Sequence, residues 1–118
     1  MLKKLPELIA EARLHVQCLS AAEAVQKRQG MDSVLIDVRE PGEYAEKAAN
    51  GAINIPCGVL EPKMLELYPD AEKAIFIHCA SGGRATLAAE QLQRLGYNNV
   101  WAITCKVDDV ITAHQDLT

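Results

Sequence analysis

The chain has 118 residues, 49% of them hydrophobic and 24% charged, with a formal net charge of −4. That is the size of one domain, 1–118, with enough apolar content to bury a core without disulfide staples. The acidic balance excludes a general nucleic-acid binder held by a basic face, and no apolar run reaches the roughly 18 residues of a membrane span. The acids Glu7 and Glu11 interrupt the lysine-bearing start, which argues against a signal peptide and for a cytoplasmic protein.

From the amino terminus, Leu2, Leu5, Leu8, Ile9 and Ala12 recur at helical spacing, which predicts a helix over 2–13 with Pro6 in its opening turn. Leu14 to Cys18 reads as a short strand. Ser20 followed by Glu23 is a capping box, opening a helix that runs to Gly30. Ser33-Val-Leu-Ile-Asp-Val38 is an aliphatic run suited to a strand covered on both faces. A short helix starts near Pro41. Ala52 to Ile55 is a strand stopped by Pro56, and Pro62 to Tyr68 is helical. Ala74-Ile-Phe-Ile-His78 is a second buried strand. Arg84 to Leu95 carries Leu87, Ala88, Gln91, Leu92 and Leu95 on one stripe, with Gly96 as its stop. Asn99 to Ile103 is a last strand, in which Trp101 fills the core, and Val107 to His114 closes the chain as a helix. Strands alternating with helices predict an α/β fold with a mostly parallel sheet, whose ligands sit beyond the carboxyl ends of the strands.

The chemistry concentrates in Ile75-Phe-Ile-His-Cys79-Ala-Ser-Gly-Gly-Arg84. A buried strand ends at a cysteine, four small residues follow, and an arginine opens a helix. Gly82 and Gly83 let the backbone curl, turning successive N–H groups inward towards the positive end of that helix. The expected product is an anion-binding bowl with Cys79 at its base, where a thiolate is stabilised and nucleophilic. The plain alternative is a buried cysteine before an ordinary glycine turn. None of the cysteines, Cys18, Cys57, Cys79 and Cys105, forms a Cys-x-x-Cys pair, and the histidines show no ligand spacing, so no metal is expected.

Three stretches in order resemble the rhodanese family: Leu35-Ile-Asp-Val-Arg-Glu-Pro-Gly-Glu-Tyr44, Gly51-Ala-Ile-Asn-Ile-Pro56 and His78-Cys-Ala-Ser-Gly-Gly-Arg84. The resemblance runs from about Val16 to Val100. It implies a three-layer fold with a five-stranded, mostly parallel sheet flanked by helices, and sulfane-sulfur transfer through a persulfide on Cys79, with no cofactor. The loop residues Ala80, Ser81, Gly82, Gly83 and Arg84 would hold the sulfur. The implied partners are a small sulfur-containing anion or persulfide donor, a thiol or cyanide acceptor, and a protein sulfur partner; neither nucleic acid nor membrane is implied. Related phosphatases have five residues between cysteine and arginine, and the four here make a smaller ring that suits a single sulfur better than phosphate.

The family pattern places Asp37 and Arg39 beside the active loop, Asp37 orienting amides or pairing with an arginine and Arg39 as a scaffold contact; a plain strand-end ion pair is the alternative. Arg84 is expected to brace the loop and add positive potential. Ser81 is either a donor to the persulfide or a small loop residue. His78, next to the nucleophile, points to the opposite face of its strand. Three departures stand out: Lys47-Ala-Ala49 replaces a Gly-His-Ile stretch, the loop interior carries no charge, and Thr104-Cys-Lys106 replaces a pair of glycines. The uncharged interior predicts poor use of dianionic thiosulfate. Cys105 is a candidate second thiol and Lys106 a candidate cation at the pocket mouth, the alternative being a Cys105 that points away. Two further readings stay open: a sulfur-carrying or regulatory module with little turnover, and a thiol redox protein using Cys79.

Overall fold

A computed structural model describes residues 1–115. Five strands, β1 (Gln17–Leu19), β2 (Ser33–Asp37), β3 (Ala52–Asn54), β4 (Ala74–His78) and β5 (Val100–Ile103), form one sheet in the order β1-β5-β4-β2-β3. Every neighbouring pair is parallel. The helices are α1 (Leu5–Arg13), α2 (Ala21–Arg28), α3 (Pro41–Glu46), α4 (Leu60–Leu67), α5 (Gly83–Leu95) and α6 (Val107–Ala113). A 3-10 turn, Cys57–Val59, leads into α4.

Side-chain alternation along the strands divides the interior into two layers. Val34, Ile36, Ile75, Ile77, Val100 and Ala102 face Ala85, Ala88, Ala89 and Leu92 of α5 and Leu60 and Met64 of α4. Leu35, Phe76, Trp101 and Ile103 face the other way, onto Ala21 and Ala24 of α2 and Val110 of α6. Phe76 and Trp101 stack there with centroids 5.0 Å apart, so Trp101 is a core residue as its setting predicts.

The capping box forms: the Glu23 N–H donates to Ser20 Oγ and the Ser20 N–H to Glu23 Oε1. The first helix departs from expectation. It begins at Leu5, and Leu2, Leu5 and Leu8 of its apolar stripe stay exposed. Only Ile9 and Ala12 are covered, because α1 touches the sheet layer along one edge at the start of α5. The first strand also begins later than predicted, at Gln17. The His15 and Val16 N–H groups are taken by Ala12 O, so that stretch is the tail of α1 rather than a ladder. Helix α4 starts two residues before Pro62, which is tolerated because first-turn N–H groups have no intrahelical partner. Among the described residues no helix is long and apolar enough to cross a membrane.

Candidate active site

Strand β4 delivers Cys79 to the carboxyl rim of the sheet, and the chain then curls through Ala80–Gly83 into α5. The Gly82 N–H donates to Cys79 Sγ at 3.1 Å and the Ala85 N–H at 3.3 Å. Two backbone donors therefore converge on one buried sulfur, at the helix end where positive charge accumulates. Gly82 makes this possible: its φ is +99°, and a Cβ there would lie 2.9 Å from the Thr104 backbone.

The curl is fixed by contacts that the sequence did not announce. Thr86 Oγ1 donates to Gly82 O at 2.7 Å, and the Thr86 N–H donates to the same oxygen at 3.0 Å. The Val107 N–H, from the start of α6, donates to Ala80 O at 2.9 Å. The stretch after β5 therefore does lie against the loop. Ser81 is exposed on the outer side of the curl, in a cleft shared with Pro6, Ile9 and Arg13.

Arg84 does not brace the loop as expected. Its guanidinium reaches across to α3 and binds Glu43 bidentately, at 2.9 and 3.2 Å. Loop bracing falls to Thr86 and Val107 because they stand under the curl, whereas the Arg84 side chain leaves its helix on the solvent side and is 40% exposed. The hydrogen bond to Arg84, helped by the Glu40 N–H, holds the Glu43 carboxyl at about 2.

Asp37 and Arg39 form a buried pair on the other side of the sheet from Cys79, so Asp37 pairs with an arginine and touches no loop amide. Arg39 Nη2 lies 2.7 Å from Asp37 Oδ2, and Arg39 Nε is 3.0 Å from Oδ1. Arg39 then donates to Lys47 O at 2.7 Å and Glu43 O at 3.4 Å, fastening the end of α3. Asn54 Nδ2 closes the same corner by donating to the carbonyls of Asp37 and Arg39.

His78 points away from Cys79, as its position predicts. Its Nε2 is 3.7 Å from Asp37 Oδ2, too far for a hydrogen bond. Burial pushes its pKa down more strongly than Asp37 pulls it up, so the ring is neutral.

Cys105 requires a correction as a second thiol at the pocket. Its sulfur accepts the Ala21 N–H at 3.2 Å and packs in the α2/α6 layer, whereas Cys79 belongs to the α4/α5 layer. The backbone after β5 reaches the loop, but alternation turns the Cys105 side chain to the opposite face. Lys106 is exposed at the N-cap of α6, and its charge bears on Asp108. The thiol that does sit on the Cys79 side is Cys57, in the turn after β3. Burial pushes the Cys57 thiol up. Its only advance signal was its place just past a strand end, on the rim where ligands bind. Cys57 lines a cleft of about 300 Å³ with Leu60, Leu87, Ala88 and the stem of Arg84. Among the described residues no three His, Cys, Asp or Glu side chains converge as metal ligands.

The fold agrees with known proteins. The chain is 34% identical over 65 residues to the thiosulfate sulfurtransferase PspE of Escherichia coli, a match covering 55% of this chain and 62% of that one. It spans between 25% and 62% of the length of the curated relatives it matches. RPA3614 of Rhodopseudomonas palustris, a protein of unknown function described as a possible tyrosine phosphatase, superposes with a TM-score of 0.82 at 24% identity, covering 96% of this chain and 92% of that one. The human single-domain sulfurtransferase TSTD1 superposes with a TM-score of 0.70 at 24% identity, covering 82% and 96%. These two share the fold. A family model described as the rhodanese-like domain matches residues 20–107, and the chain belongs to that family.

Proposed function

We propose that this protein transfers sulfane sulfur from a donor to a thiol or cyanide acceptor through a persulfide on Cys79. One observation carries the reading: the Gly82 and Ala85 N–H groups converge on the Cys79 sulfur. Donors so placed stabilise negative charge on that sulfur or on one bonded to it. The Cys79 thiolate attacks the outer sulfur of the donor, a sulfur–sulfur bond forms, and the donor's own sulfur–sulfur bond breaks with its electron pair leaving on sulfite or its analogue. An acceptor thiolate then attacks the outer sulfur of the persulfide and the Cys79 thiolate returns as the leaving group. This is covalent catalysis in two half-reactions, with ping-pong kinetics.

Ala80, Ser81, Gly82, Gly83 and Arg84 form the substrate loop in this reading, and Asp37 and Arg39 are positioning residues that act through α3. Four residues between Cys79 and Arg84 draw the amides onto a single sulfur, which favours a persulfide over a phosphate ester. The test is intact mass after exposure to thiosulfate or polysulfide. Gain of one sulfur atom, absent in Cys79→Ser, supports the proposal; no gain with either donor overturns it.

The near-complete burial of Cys79, at 1% exposure, favours a second reading. In it the domain carries sulfur handed over by a protein partner and turns over small donors slowly. Loading by a persulfide-bearing protein but not by thiosulfate would distinguish it.

A further inference from the structure

We infer that the cleft between α1 and the active loop receives the sulfur acceptor, a short peptide thiol whose terminal carboxylate is bound by Arg13. This rests on the sulfur-transfer reading above and names the chemical class of its acceptor. The cleft has a volume of about 440 Å³, the size of a small-molecule site. One wall is α1, through Pro6, Ile9, Ala10 and Arg13, and the other is the loop itself, through Ser81 and Gly83. The family model begins at residue 20, so α1, at Leu5–Arg13, adds its wall from outside the matched domain.

Helix α1 is seated directly on the loop. A Cβ at Gly83 would stand 2.9 Å from Ile9 Cδ1. Arg13 Nε donates to Thr86 Oγ1 at 3.4 Å, and that hydroxyl donates to Gly82 O at 2.7 Å. The Gly82 N–H in turn donates to Cys79 Sγ at 3.1 Å. Three hydrogen bonds thus step from the cleft to the nucleophile. An extended chain gains about 3.5 Å per residue, so a peptide of two or three residues is long enough to keep its carboxylate at Arg13 while its thiol meets the outer sulfur of the persulfide.

The walls select the ligand. Pro6, Ile9 and Ala10 offer apolar surface, Arg13 is the one cation in the lining, and Ser81 adds a hydroxyl from the loop side. Among the described residues Arg13 forms no ion pair, and its two terminal nitrogens make no hydrogen bond. Glu11, two residues earlier, is held by Lys3 at 2.5 and 2.7 Å, and residues at that spacing do not face each other on a helix. A carboxylate therefore meets a guanidinium free to bind it bidentately, with apolar surface for the side chain beside it. Cyanide has no group to place there.

The step balances without a further reactant. The peptide thiolate attacks the outer sulfur of the Cys79 persulfide. A sulfur–sulfur bond forms on the peptide, the bond from Cys79 Sγ to the outer sulfur breaks, and its electron pair returns to Cys79 as the thiolate. The proton of the persulfide stays on the transferred sulfur.

The experiment isolates this half-reaction. Cys79 is loaded with thiosulfate or polysulfide, and loss of the added sulfur is followed by intact mass with N-acetyl-Cys-Gly-Leu and with the same peptide as its carboxamide. The two acceptors differ only in the terminal charge. The second-order rate constant for the acid should exceed that for the amide about tenfold or more in the unaltered protein and in Lys4→Gln, an exposed charge of α1 outside the cleft lining. The ratio should fall to about one in Arg13→Gln, the scale of one charge-assisted hydrogen bond. Loosening of the loop in Arg13→Gln would slow both peptides alike and leave the ratio in place. A ratio near one in the unaltered protein, a ratio that survives Arg13→Gln, or an equal fall in Lys4→Gln overturns the inference, while loading of Cys79 leaves the sulfur-transfer reading standing. Failure of both donors to add sulfur to Cys79 removes that reading and the inference together.

Discussion

Gly82→Ala tests how the active loop is built. Gly82 sits at φ +99°, and an added Cβ would stand 2.9 Å from both Cα and O of Thr104. The backbone conformation alone costs a residue with a side chain about 1–3 kcal/mol. The contact is with backbone, which cannot rotate aside, and overpacking of that kind adds about 1–3 kcal/mol. The two together give about 2–6 kcal/mol, a large share of the 5–15 kcal/mol typical of a folded domain. Two other glycines supply the controls. Gly96 has φ +113° with nothing within 4 Å of an added Cβ, so Gly96→Ala meets strain alone. At Gly83 a Cβ would meet only the Cδ1 end of Ile9, at 2.9 Å, and that side chain can turn away; Gly83→Ala should cost less than about 1 kcal/mol. Urea unfolding of the three variants should rank them Gly82 worst, Gly96 intermediate and Gly83 least. Persulfide loading should fall only for Gly82→Ala, whose displaced amide leaves the Cys79 sulfur. If Gly82→Ala proves no costlier than Gly96→Ala, the Thr104 wall is not what holds the loop.

Inserting one alanine between Gly82 and Gly83 should separate the Gly82 and Ala85 amides and lower sulfur transfer about 10²-fold, the scale of losing one preorganised donor; unchanged turnover would show that ring size is not selective. Asp37→Ala leaves the Arg39 guanidinium buried without its carboxylate, and urea unfolding should show a loss of about 3–5 kcal/mol; a loss under about 1 kcal/mol would contradict the pair's role. Glu43 titrates at about 2 when folded and near 4.3 when unfolded, so its stabilisation is complete above the unfolded value and is lost as pH falls towards 2. Because the pair is partly exposed, its worth is about 1 kcal/mol or less. Glu43→Gln should therefore lower stability slightly at neutral pH and make the decline between pH 4.3 and 2 shallower. An acid limb identical to that of the unaltered protein would remove Glu43 from the account.

The strands were legible because period and composition agree in them: Ser33–Val38 and Ala74–His78 are aliphatic runs that only a doubly covered sheet can bury. The loop was legible for a different reason, since two glycines between a cysteine and an arginine restrict what the backbone can do. What the sequence could not show is which way a side chain turns once it reaches the rim. Cys105 follows the strand next to β4, and nearness along the chain suggested a second thiol; alternation put that thiol in the α2/α6 layer. Cys57, on a short turn after β3, had no pattern to recommend it, yet it lines the cleft beside the loop. Apolar period misled at Leu2, Leu5 and Leu8 because a helical stripe predicts a buried face only when a neighbour is there to cover it.

Helix α3 joins the two faces of the sheet at the site. On one face, Arg39 is locked by Asp37 and holds the carbonyls of Glu43 and Lys47, which fixes where α3 ends. On the other side, the Glu43 side chain projects from that same helix and receives Arg84, one residue before the amide that binds Cys79. A buried ion pair that never touches the nucleophile thus sets the position of the carboxylate that occupies Arg84. Arg84, at the end of the loop, is thus ion-paired by a carboxylate that the backbone of α3 positions. Negative charge on the sulfur is met by the two amides, neutral dipoles of fixed direction, and by the Arg84 guanidinium, whose own pKa the neighbouring Cys79 and Cys57 help to raise. Such a site concentrates its stabilisation of negative charge at one point, the Cys79 sulfur on which both N–H groups converge.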